Sequence, residues 1–335
     1  MDLQSSKPTF IVGAPRSGTT LLRNMLNRHP AIAVCRETEF YHFIYRRRRA
    51  FGNLAILRNR QRLVKEYLST ERIRRLRLNL ALLEQTLLEE GSSYEALFLS
   101  LLRFYARAHE KKRCGEKTPQ HSLFAETLCE WYPGATIIHL LRDPRDVAAS
   151  LMRMPSAPGD ALGCARLWLH YNLSASRSRH RPKYMLVRYE HLVAQPEQEL
   201  ARVCAFIGEQ YVPEMLVPNW DPTANRPWLR RAEEPVTTER LGKWREQLTP
   251  NQVSLIEWVV GPHMQTFGYH TAGDPPTRAT IMRGLGLAAF DAVSRRIREF
   301  PGAWYSVTRS PKLVKEETAK NRFRNRRLAQ STDAW

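Results

Sequence analysis

Residues 10–25, FIVGAPRSGTTLLRNM, constrain the fold of this 335-residue chain more than any other stretch. An apolar run leads into Gly13, a compact loop follows, and Thr19 begins a segment with helical spacing of apolar residues. A buried strand, a glycine-framed loop and a helix start form, in this order, a cradle for an anion, because backbone N–H groups and the positive end of the helix dipole converge there. The stretch therefore predicts an α/β domain that binds a phosphate-type group at this loop.

The side chains of the loop suit an anion but depart from the common nucleotide-binding pattern. Arg16 supplies a planar cation, and three hydroxyl donors follow it: Ser17, Thr19 and Thr20. The spacing from Gly13 to Gly18 matches the P-loop pattern, but Thr19 stands where that pattern has Lys. The departure disfavours a kinase that uses Mg-ATP without excluding one.

Composition and charge narrow the classes of protein. A hydrophobic content of 43% is enough for a full core. The chain has no apolar run of 18 residues and no apolar leader, so we expect a cytoplasmic protein, or one that touches a membrane from outside. The five cysteines lack metal spacing, which predicts buried, reduced thiols and no metal. The net charge of +19 suits an anionic cofactor, an acidic substrate, an anionic membrane surface or nucleic acid, and charge alone does not choose among them.

A second strand–loop–helix unit follows the logic of the first. The apolar run ATIIHLL at 135–141 predicts a strand buried on both faces, and it ends in RDPRD and a helix that carries Ser150. Arg142 and Arg145 flank the turn between them. Residues 31–35 and 184–188 predict further strands, and CGEKTPQHS predicts a loop. Two basic units of this kind suggest a ligand with two separated phosphate groups.

Two basic segments lie outside these units. Residues 41–110 are predicted to be helical, and their arginine clusters at 46–49 and 72–77 are either solvated helix faces or part of an insertion that covers the site and attracts an acidic substrate. Residues 278–335 contain 13 basic and 5 acidic residues, a net charge of +8, beside an apolar helical stripe. This stripe docks on the body or lies on an anionic membrane. We therefore predict a domain at 1–275 and a basic helical extension at 276–335.

At this point the chain resembles the sulfotransferases that use 3′-phosphoadenosine-5′-phosphosulfate (PAPS). PRSGTTLL at 15–22 is similar to their 5′-phosphosulfate loop, and LLRDPRDVAASL at 140–151 to their 3′-phosphate motif. The resemblance spans about residues 8–270, and HPAIAVCRETEF at 29–40 is similar to the bacterial and protein-tyrosine sulfotransferase branch. It implies a three-layer α/β domain around a parallel sheet, with PAPS as co-substrate and no metal.

The resemblance also implies which residues hold PAPS. Arg16 matches the basic residue that contacts the transferred sulfonate and the 5′-phosphate, whereas Arg142 and Ser150 match the pair that clamps the 3′-phosphate. Gly242 stands where the tyrosine-sulfating branch has Ser, and Arg153 is only a near match to a further family Arg. The remaining positions implied for binding the co-substrate are Pro15, Ser17, Gly18, Thr19, Thr20, Tyr189 and Lys243.

Three residues are implied for the chemistry itself. Glu37 matches the proposed catalytic base, while Lys117 and Arg16 would stabilise the transferring group and the leaving phosphate. Glu39 is the competing base. Simpler interpretations stay open, because Glu37 can be an ion-pair partner of a neighbour, Lys117 a surface lysine and Tyr189 plain core. Two histidines are expected to serve as capping or packing residues: His29 and His121.

The sequence thus favours transfer of a sulfuryl group from PAPS to a hydroxyl or amine. The basic insertion favours an acidic acceptor, such as a carbohydrate, peptide or lipid, and we expect no nucleic acid as partner. The alternatives are a P-loop kinase that uses ATP, and an inactive protein that binds anionic membranes or nucleic acid.

Overall fold

The computed structural model describes residues 7–154, 157–218 and 235–298, with the backbone alone at 290–298. Its sheet has five parallel strands in the order β2-β3-β1-β4-β5. The strands are β1 (Thr9–Val12), β2 (Ile32–Cys35), β3 (Arg113–Lys117), β4 (Thr136–Leu141) and β5 (Tyr184–Arg188).

Helices occupy most of the remaining described chain. The α-helices are α1 (Thr19–Arg28), α2 (Phe40–Phe43), α3 (Arg48–Phe51), α4 (Leu57–Leu68), α5 (Glu71–Arg74), α6 (Leu80–Glu90), α7 (Tyr94–Ala108), α8 (Ala125–Trp131), α9 (Pro144–Leu151), α10 (Ala161–Ser176), α11 (Tyr189–Ala194), α12 (Pro196–Ile207), α13 (Trp244–Gln247), α14 (Pro250–Met264) and α15 (Arg278–Arg298). Short 3₁₀ helices lie at Tyr45–Arg47, Pro119–Phe124, Arg177–His180 and Pro213–Leu216.

Side chains of the strands alternate between two apolar cores, because successive residues of a strand point to opposite faces. Phe10 and Val12 pack in the core that α4, α6 and α7 cover, whereas Ile11 packs in the core that α1 and α12 cover. All three side chains are fully buried. The predicted three-layer α/β arrangement around a parallel sheet is therefore confirmed.

The strand β3 is a correction to the sequence analysis, which placed a loop at CGEKTPQHS. Arg113–Lys117 instead pairs with both β2 and β1 in the interior of the sheet. Its sequence lacks the apolar run of a buried strand, because it contains glycine and two charged residues that are themselves buried. Glu116 and Lys117 are 0% and 2% exposed, so specific polar partners stabilise this strand in place of apolar packing.

The helical insertion at 41–110 is helical as predicted and covers one face of the sheet. Its basic run at 46–49 is exposed, as a solvated helix face would be. Arg72 of α5 differs from that run, since its side chain is only 13% exposed and is paired with Glu39. The insertion therefore contributes both a solvated basic surface and one cation to the protein interior.

The described chain divides into two compact units. The first combines the residues up to Asp143 with Leu167–Gly242, and it contains the whole sheet. The second combines Pro144–Arg166 with the chain from Lys243 onward. The boundary after residue 275 stays a prediction.

Within the second unit, the start of α9 is bound to α13 and α14. Arg145 Nη1 lies 2.7 Å from Glu257 Oε1, with both side chains buried, and its guanidinium lies 4.2 Å from the centre of the Trp244 ring. Asp146 Oδ1 accepts a hydrogen bond of 2.9 Å from the Trp244 N–H. A buried ion pair of this kind fixes the geometry of the helices that carry it.

The predicted apolar stripe after residue 278 begins on α15. Gly284 of this helix faces Leu255 and Leu162, so this turn of α15 packs within the second unit. Residues 299–335, which hold the rest of the basic extension, lie outside the described residues. Within residues 7–154, 157–218 and 235–298, no helix combines the length and apolar character needed to cross a membrane.

Gly13→Ala is expected to destabilise the protein by about 1–3 kcal/mol or more. The φ of Gly13 is 146°, and an added Cβ would lie 2.3 Å from the backbone oxygen of Leu140. Thermal unfolding measures the effect. Gly286→Ala is the matched control, because Gly286 lies in α15 with nothing within 4 Å of an added Cβ. Equal melting of Gly13→Ala and the wild type would contradict this account of the loop.

Candidate active site

The candidate site lies at the carboxyl edge of the sheet, where parallel strands deliver the residues that follow them. Ile11 of β1 pairs with Lys117 of β3 on one side and with Ile138 of β4 on the other. The glycine-framed loop therefore leaves the sheet between the end of β3 and the end of β4. Sequence reasoning predicted that the loop and Arg142 each follow a buried strand.

The backbone of the loop is shaped by its two glycines. Gly18 has a φ of 95°, and an added Cβ would lie 2.4 Å from the Tyr189 ring. It stands at the N-cap of α1, where glycine has no side chain that could cap the first N–H groups of the helix. The first turn of α1 contains no acidic residue, so the positive end of the helix is not neutralised from within the helix.

The loop fits a phosphate-type group. Ser17 is fully buried, and its Oγ has no hydrogen-bond partner among the described residues. Leaving a buried hydroxyl unsatisfied costs about 1–3 kcal/mol, which a bound anion would offset. Arg16 is half-buried and has a φ of 72°, a backbone conformation that few residues other than glycine adopt. Pro15 and Thr19 are buried, and Thr20 is half-buried.

Arg142 is held beside the loop by a set of contacts within the first unit. Its Nη1 donates to the Arg16 carbonyl at 3.3 Å, and its Nη2 donates to the Arg240 carbonyl at 2.8 Å. The guanidinium lies 4.3 Å from the centre of the Tyr189 ring. Tyr189 is 7% exposed, so it is a buried residue that also supports Arg142 and touches the loop.

Glu37 and Lys117 form an ion pair at the ends of neighbouring strands. Lys117 Nζ lies 2.6 Å from Glu37 Oε1, and the two side chains are 3% and 16% exposed. The suggestion that Lys117 is a surface lysine is therefore wrong. Burial raises the pKa of Glu37, but Lys117, Arg72 and Arg23 outweigh burial and hold this pKa below its ordinary value. Glu37 is therefore ionised at neutral pH.

Glu39 has a different environment two residues farther on. Arg72 Nη2 lies 2.8 Å from Glu39 Oε2, and the guanidinium lies 4.1 Å from the centre of the Phe43 ring. Burial raises the pKa of Glu39 to about 7, although Arg72 opposes the shift. The side chain is 2% exposed. The two acidic candidates thus differ, since Glu37 is more accessible and Glu39 has the pKa closer to neutrality.

Two predicted residues belong to the second unit. Ser150 is half-buried in α9, and Lys243 precedes α13 with its Nζ 3.0 Å from both carboxylate oxygens of Glu246. Within the first unit, Arg142 contacts Arg16 and Tyr189, and Glu37 contacts Lys117. Both groups lie at the carboxyl edge of the sheet. The roles of Ser150 and Lys243 stay predictions from the resemblance.

Sequence reasoning missed two residues that shape the site. Glu116 is fully buried beside Lys117 in β3, and Arg72 reaches Glu39 from the helical insertion. The sequence did contain a signal for Glu116. The family resemblance places Lys117 near the phosphate loop, and a strand that ends at Lys117 would bring it there together with Glu116. For Arg72, no local pattern separates this arginine from its solvated neighbours.

Glu39→Gln is expected to remove a pH-dependent loss of stability. Because the folded-state pKa of Glu39 is raised from 4.5 to about 7, its contribution to stability is complete below pH 4.5 and falls as pH rises to about 7. The wild type should lose on the order of 2 kcal/mol relative to the variant over this range. Urea unfolding at pH 4.5–7.5 measures it.

The control for this measurement is Glu71→Gln, since Glu71 is a 47% exposed carboxylate paired with Arg75. This variant measures how much the loss of an exposed carboxylate by itself changes the pH dependence of unfolding. A constant difference between wild type and Glu39→Gln would contradict the account of Glu39.

Comparison with known proteins agrees with this geometry. The protein-tyrosine sulfotransferase of Drosophila melanogaster is 26% identical over 291 residues, which cover 80% of this chain and 52% of that protein. The nodulation protein NoeE of Sinorhizobium fredii is 26% identical over 335 residues, which cover 90% of this chain and 74% of NoeE. Mouse carbohydrate sulfotransferase 7 is 31% identical over 110 residues, which cover 31% of this chain and 22% of the mouse protein. The chain thus spans about half the length of the Drosophila protein.

Two solved structures share the fold. The sulfotransferase domain of the Synechococcus PCC 7002 olefin synthase has a TM-score of 0.54 at 22% identity, and the match covers 80% of this chain and 97% of that domain. The sulfotransferase domain of the curacin biosynthetic pathway has a TM-score of 0.55 at 20% identity, and the match covers 80% of this chain and 100% of that domain. The Sulfotransferase family model matches residues 8–213, well over half of the chain. The chain belongs to the sulfotransferase family.

Proposed function

We propose that this chain transfers a sulfuryl group from PAPS to an acceptor hydroxyl or amine. The observation that carries the proposal is the Glu37–Lys117 ion pair, which lies at the same edge of the sheet as the loop that suits a phosphate. A carboxylate and a cation beside an anion site are the groups that sulfuryl transfer needs. The carboxylate takes a proton, and the cation stabilises the negative charge that grows on the leaving phosphate.

The fit of the loop to the 5′ end of PAPS rests on the orphaned hydroxyl of Ser17, the uncapped start of α1 and the charge of Arg16. Arg142 is a second buried cation beside this loop, as binding of a second phosphate would require. PAPS supplies the sulfuryl group and the good leaving phosphate. Ser150, Thr19, Thr20, Tyr189 and Lys243 keep the binding roles that the family resemblance implies.

We assign Glu37 as the base that accepts the proton of the acceptor. Its side chain is 16% exposed, whereas Glu39 is 2% exposed and occupied by Arg72. A base with a lowered pKa is a weaker proton acceptor, but it is ionised in nearly every molecule at neutral pH. In the transfer, the acceptor oxygen forms a bond to sulfur, the bond from sulfur to the leaving phosphate oxygen breaks, and the acceptor proton passes to Glu37.

Lys117 and Arg16 are proposed to stabilise the charge in this transfer. Lys117 is nearly fully buried, where its interaction with charge is stronger than in water. A preorganised donor of this kind contributes on the order of 10²-fold to the rate. Since Lys117 also pairs with Glu37, one cation orients the base and faces the leaving oxygen.

The acceptor is proposed to be an acidic carbohydrate, peptide or lipid. The exposed arginines at 46–49 would attract such a molecule, and the chain as a whole carries a net charge of +19. Two of the similar proteins are named as a protein-tyrosine sulfotransferase and a carbohydrate sulfotransferase. Peripheral contact with an anionic membrane through 278–335 and a cytoplasmic location stay predictions.

The wild-type chain is expected to bind 3′-phosphoadenosine-5′-phosphate (PAP) and to ignore Mg-ATP, as calorimetry can test. Arg142→Ala should weaken PAP binding by about 10- to 100-fold, because a charge-assisted contact to the 3′-phosphate is lost. Adenosine 5′-monophosphate, which lacks that phosphate, serves as the matched ligand. Arg142→Ala should weaken its binding far less than it weakens the binding of PAP. A chain that binds Mg-ATP and not PAP would establish the kinase alternative instead.

Glu37→Gln is expected to lower kcat by about 10²- to 10⁴-fold and to leave PAP affinity unchanged. The assay follows labelled sulfate from [³⁵S]PAPS to an acidic tyrosine peptide, a uronic-acid oligosaccharide and a glycolipid. Glu126→Gln, in α8, is the control for carboxylate loss outside the site. Full activity of Glu37→Gln would remove Glu37 as the base, and a wild type with no transfer would favour the inactive binding protein.

A further inference from the structure

Thr38, between the two acidic candidates, has all of its polar groups bonded within the protein. Its N–H and its Oγ1 both donate to Glu116 Oε1, each at 2.9 Å. Its carbonyl accepts a hydrogen bond of 3.4 Å from the Tyr67 hydroxyl of α4. The side chain is fully buried. The backbone between Glu37 and Glu39 is therefore fixed from two sides, by the sheet and by the insertion.

The carboxylate that holds Thr38 also contacts polar groups of the segment that follows β3. Glu116 Oε1 also accepts from the Thr118 hydroxyl, and its Oε2 lies 2.9 Å from His121 Nδ1. Burial raises the pKa of Glu116, but His121, Thr118 and Thr38 outweigh burial and lower it. A carboxylate that is fully removed from water is stable only with such partners, so these contacts compensate for the burial of Glu116.

The bonds to Glu116 and the ion pair to Lys117 join the same two segments. Thr38 and Glu37 are consecutive after β2, and Glu116 and Lys117 are consecutive at the end of β3. Thr38 bonds Glu116, and Glu37 bonds Lys117. Because side chains of consecutive strand residues point in opposite directions, the two contacts hold the segments together on both sides of β3.

The same group of residues reaches the phosphate loop. His121 lies in the 3₁₀ helix Pro119–Phe124, and the next residue, Ser122, accepts a hydrogen bond of 2.7 Å from the Gly13 N–H. The Tyr41 N–H lies 3.5 Å from His121 Nε2. One short helix thus contacts the phosphate loop, the end of β3 and the start of the insertion.

We propose that Thr38, Glu116 and His121 form a positioning clamp that sets the direction of Glu37 relative to Lys117 and the phosphate loop. None of the three touches the reacting atoms in this account, so they are positioning residues. The inference rests on the proposed function for its kinetic test. A displacement of about 1 Å in such a constellation can cost about 10²-fold in rate, which is the effect that the clamp prevents.

Thr38→Val tests the clamp, because valine has nearly the shape of threonine and removes only the hydroxyl, which donates to Glu116 Oε1 and accepts from the Phe40 N–H at 3.3 Å. The assay uses [³⁵S]PAPS and the acceptor that the wild type sulfates, which is the tyrosine peptide, the oligosaccharide, the glycolipid or water. In this assay, kcat of Thr38→Val should fall about 10- to 100-fold. PAP affinity by calorimetry should stay close to wild type, and Tm should fall by no more than the loss of the buried hydroxyl contacts of Thr38 accounts for. Thr38→Ser, which restores the hydroxyl, should recover most of kcat.

A pH profile separates positioning from plain support of the fold. Lys117, Arg72 and Arg23 face Glu37 and lower its pKa, and Glu37 loses part of this effect when it turns away from Lys117. The acid limb of kcat/KM should therefore move to higher pH in Thr38→Val and in Glu116→Gln, and return in Thr38→Ser. Thr86→Val, which removes one hydroxyl bond in α6, is the matched control and should leave kcat and the profile unchanged.

Two results would overturn the clamp while the wild type is active. One is a Thr38→Val variant with wild-type kcat and acid limb. The other is a variant in which kcat, PAP affinity and Tm fall together with an unmoved acid limb, which indicates a structural role alone. A wild type that binds no PAP and transfers no sulfate, even to water, would overturn the proposed function and the clamp with it.

Discussion

The ion pair between Glu37 and Lys117 is the interaction on which the rest of the site depends. It joins the residues that follow β2 to the last residue of β3, and these two strands are neighbours in the sheet. Removing one partner of a buried pair leaves an uncompensated charge, which typically costs about 3–5 kcal/mol. The position of the acidic candidate is therefore set by the sheet itself. The phosphate loop shares this frame, since Ile11 of β1 pairs with Lys117.

Features governed by local chemistry could be predicted from the sequence. The glycine-framed loop, the strands β1, β2, β4 and β5 and the helical insertion all lie where the patterns placed them, because apolar runs and glycine spacing act over short distances. Thr249 caps α14 in a capping box with Gln252, which is a local pattern as well. The two strand–loop–helix units predicted both Arg16 and Arg142 as ligands of phosphate groups, whereas Lys117 was implied by the family resemblance alone.

Features governed by distant partners could not be predicted. The strand β3 has no apolar run, because Glu116 is stabilised by residues of two other segments. The raised pKa of Glu39 depends on burial beneath the insertion, and its pairing with Arg72 spans 33 positions of the chain. The compact unit that joins Pro144–Arg166 to the chain from Lys243 also depends on a distant contact, the buried pair of Arg145 with Glu257. No local signal encodes these pairings.

The acid limb of kcat/KM in Lys117→Met tests the central claim most directly. In the wild type, Lys117 helps hold the pKa of Glu37 below its ordinary value of 4.5, so the limb should lie below pH 4.5. Methionine keeps the length of the side chain and removes the charge, so that only Arg72 and Arg23 oppose burial and the limb should move to higher pH. A limb at the same pH in both proteins would contradict the account, because Glu37 would then not be the base that Lys117 controls.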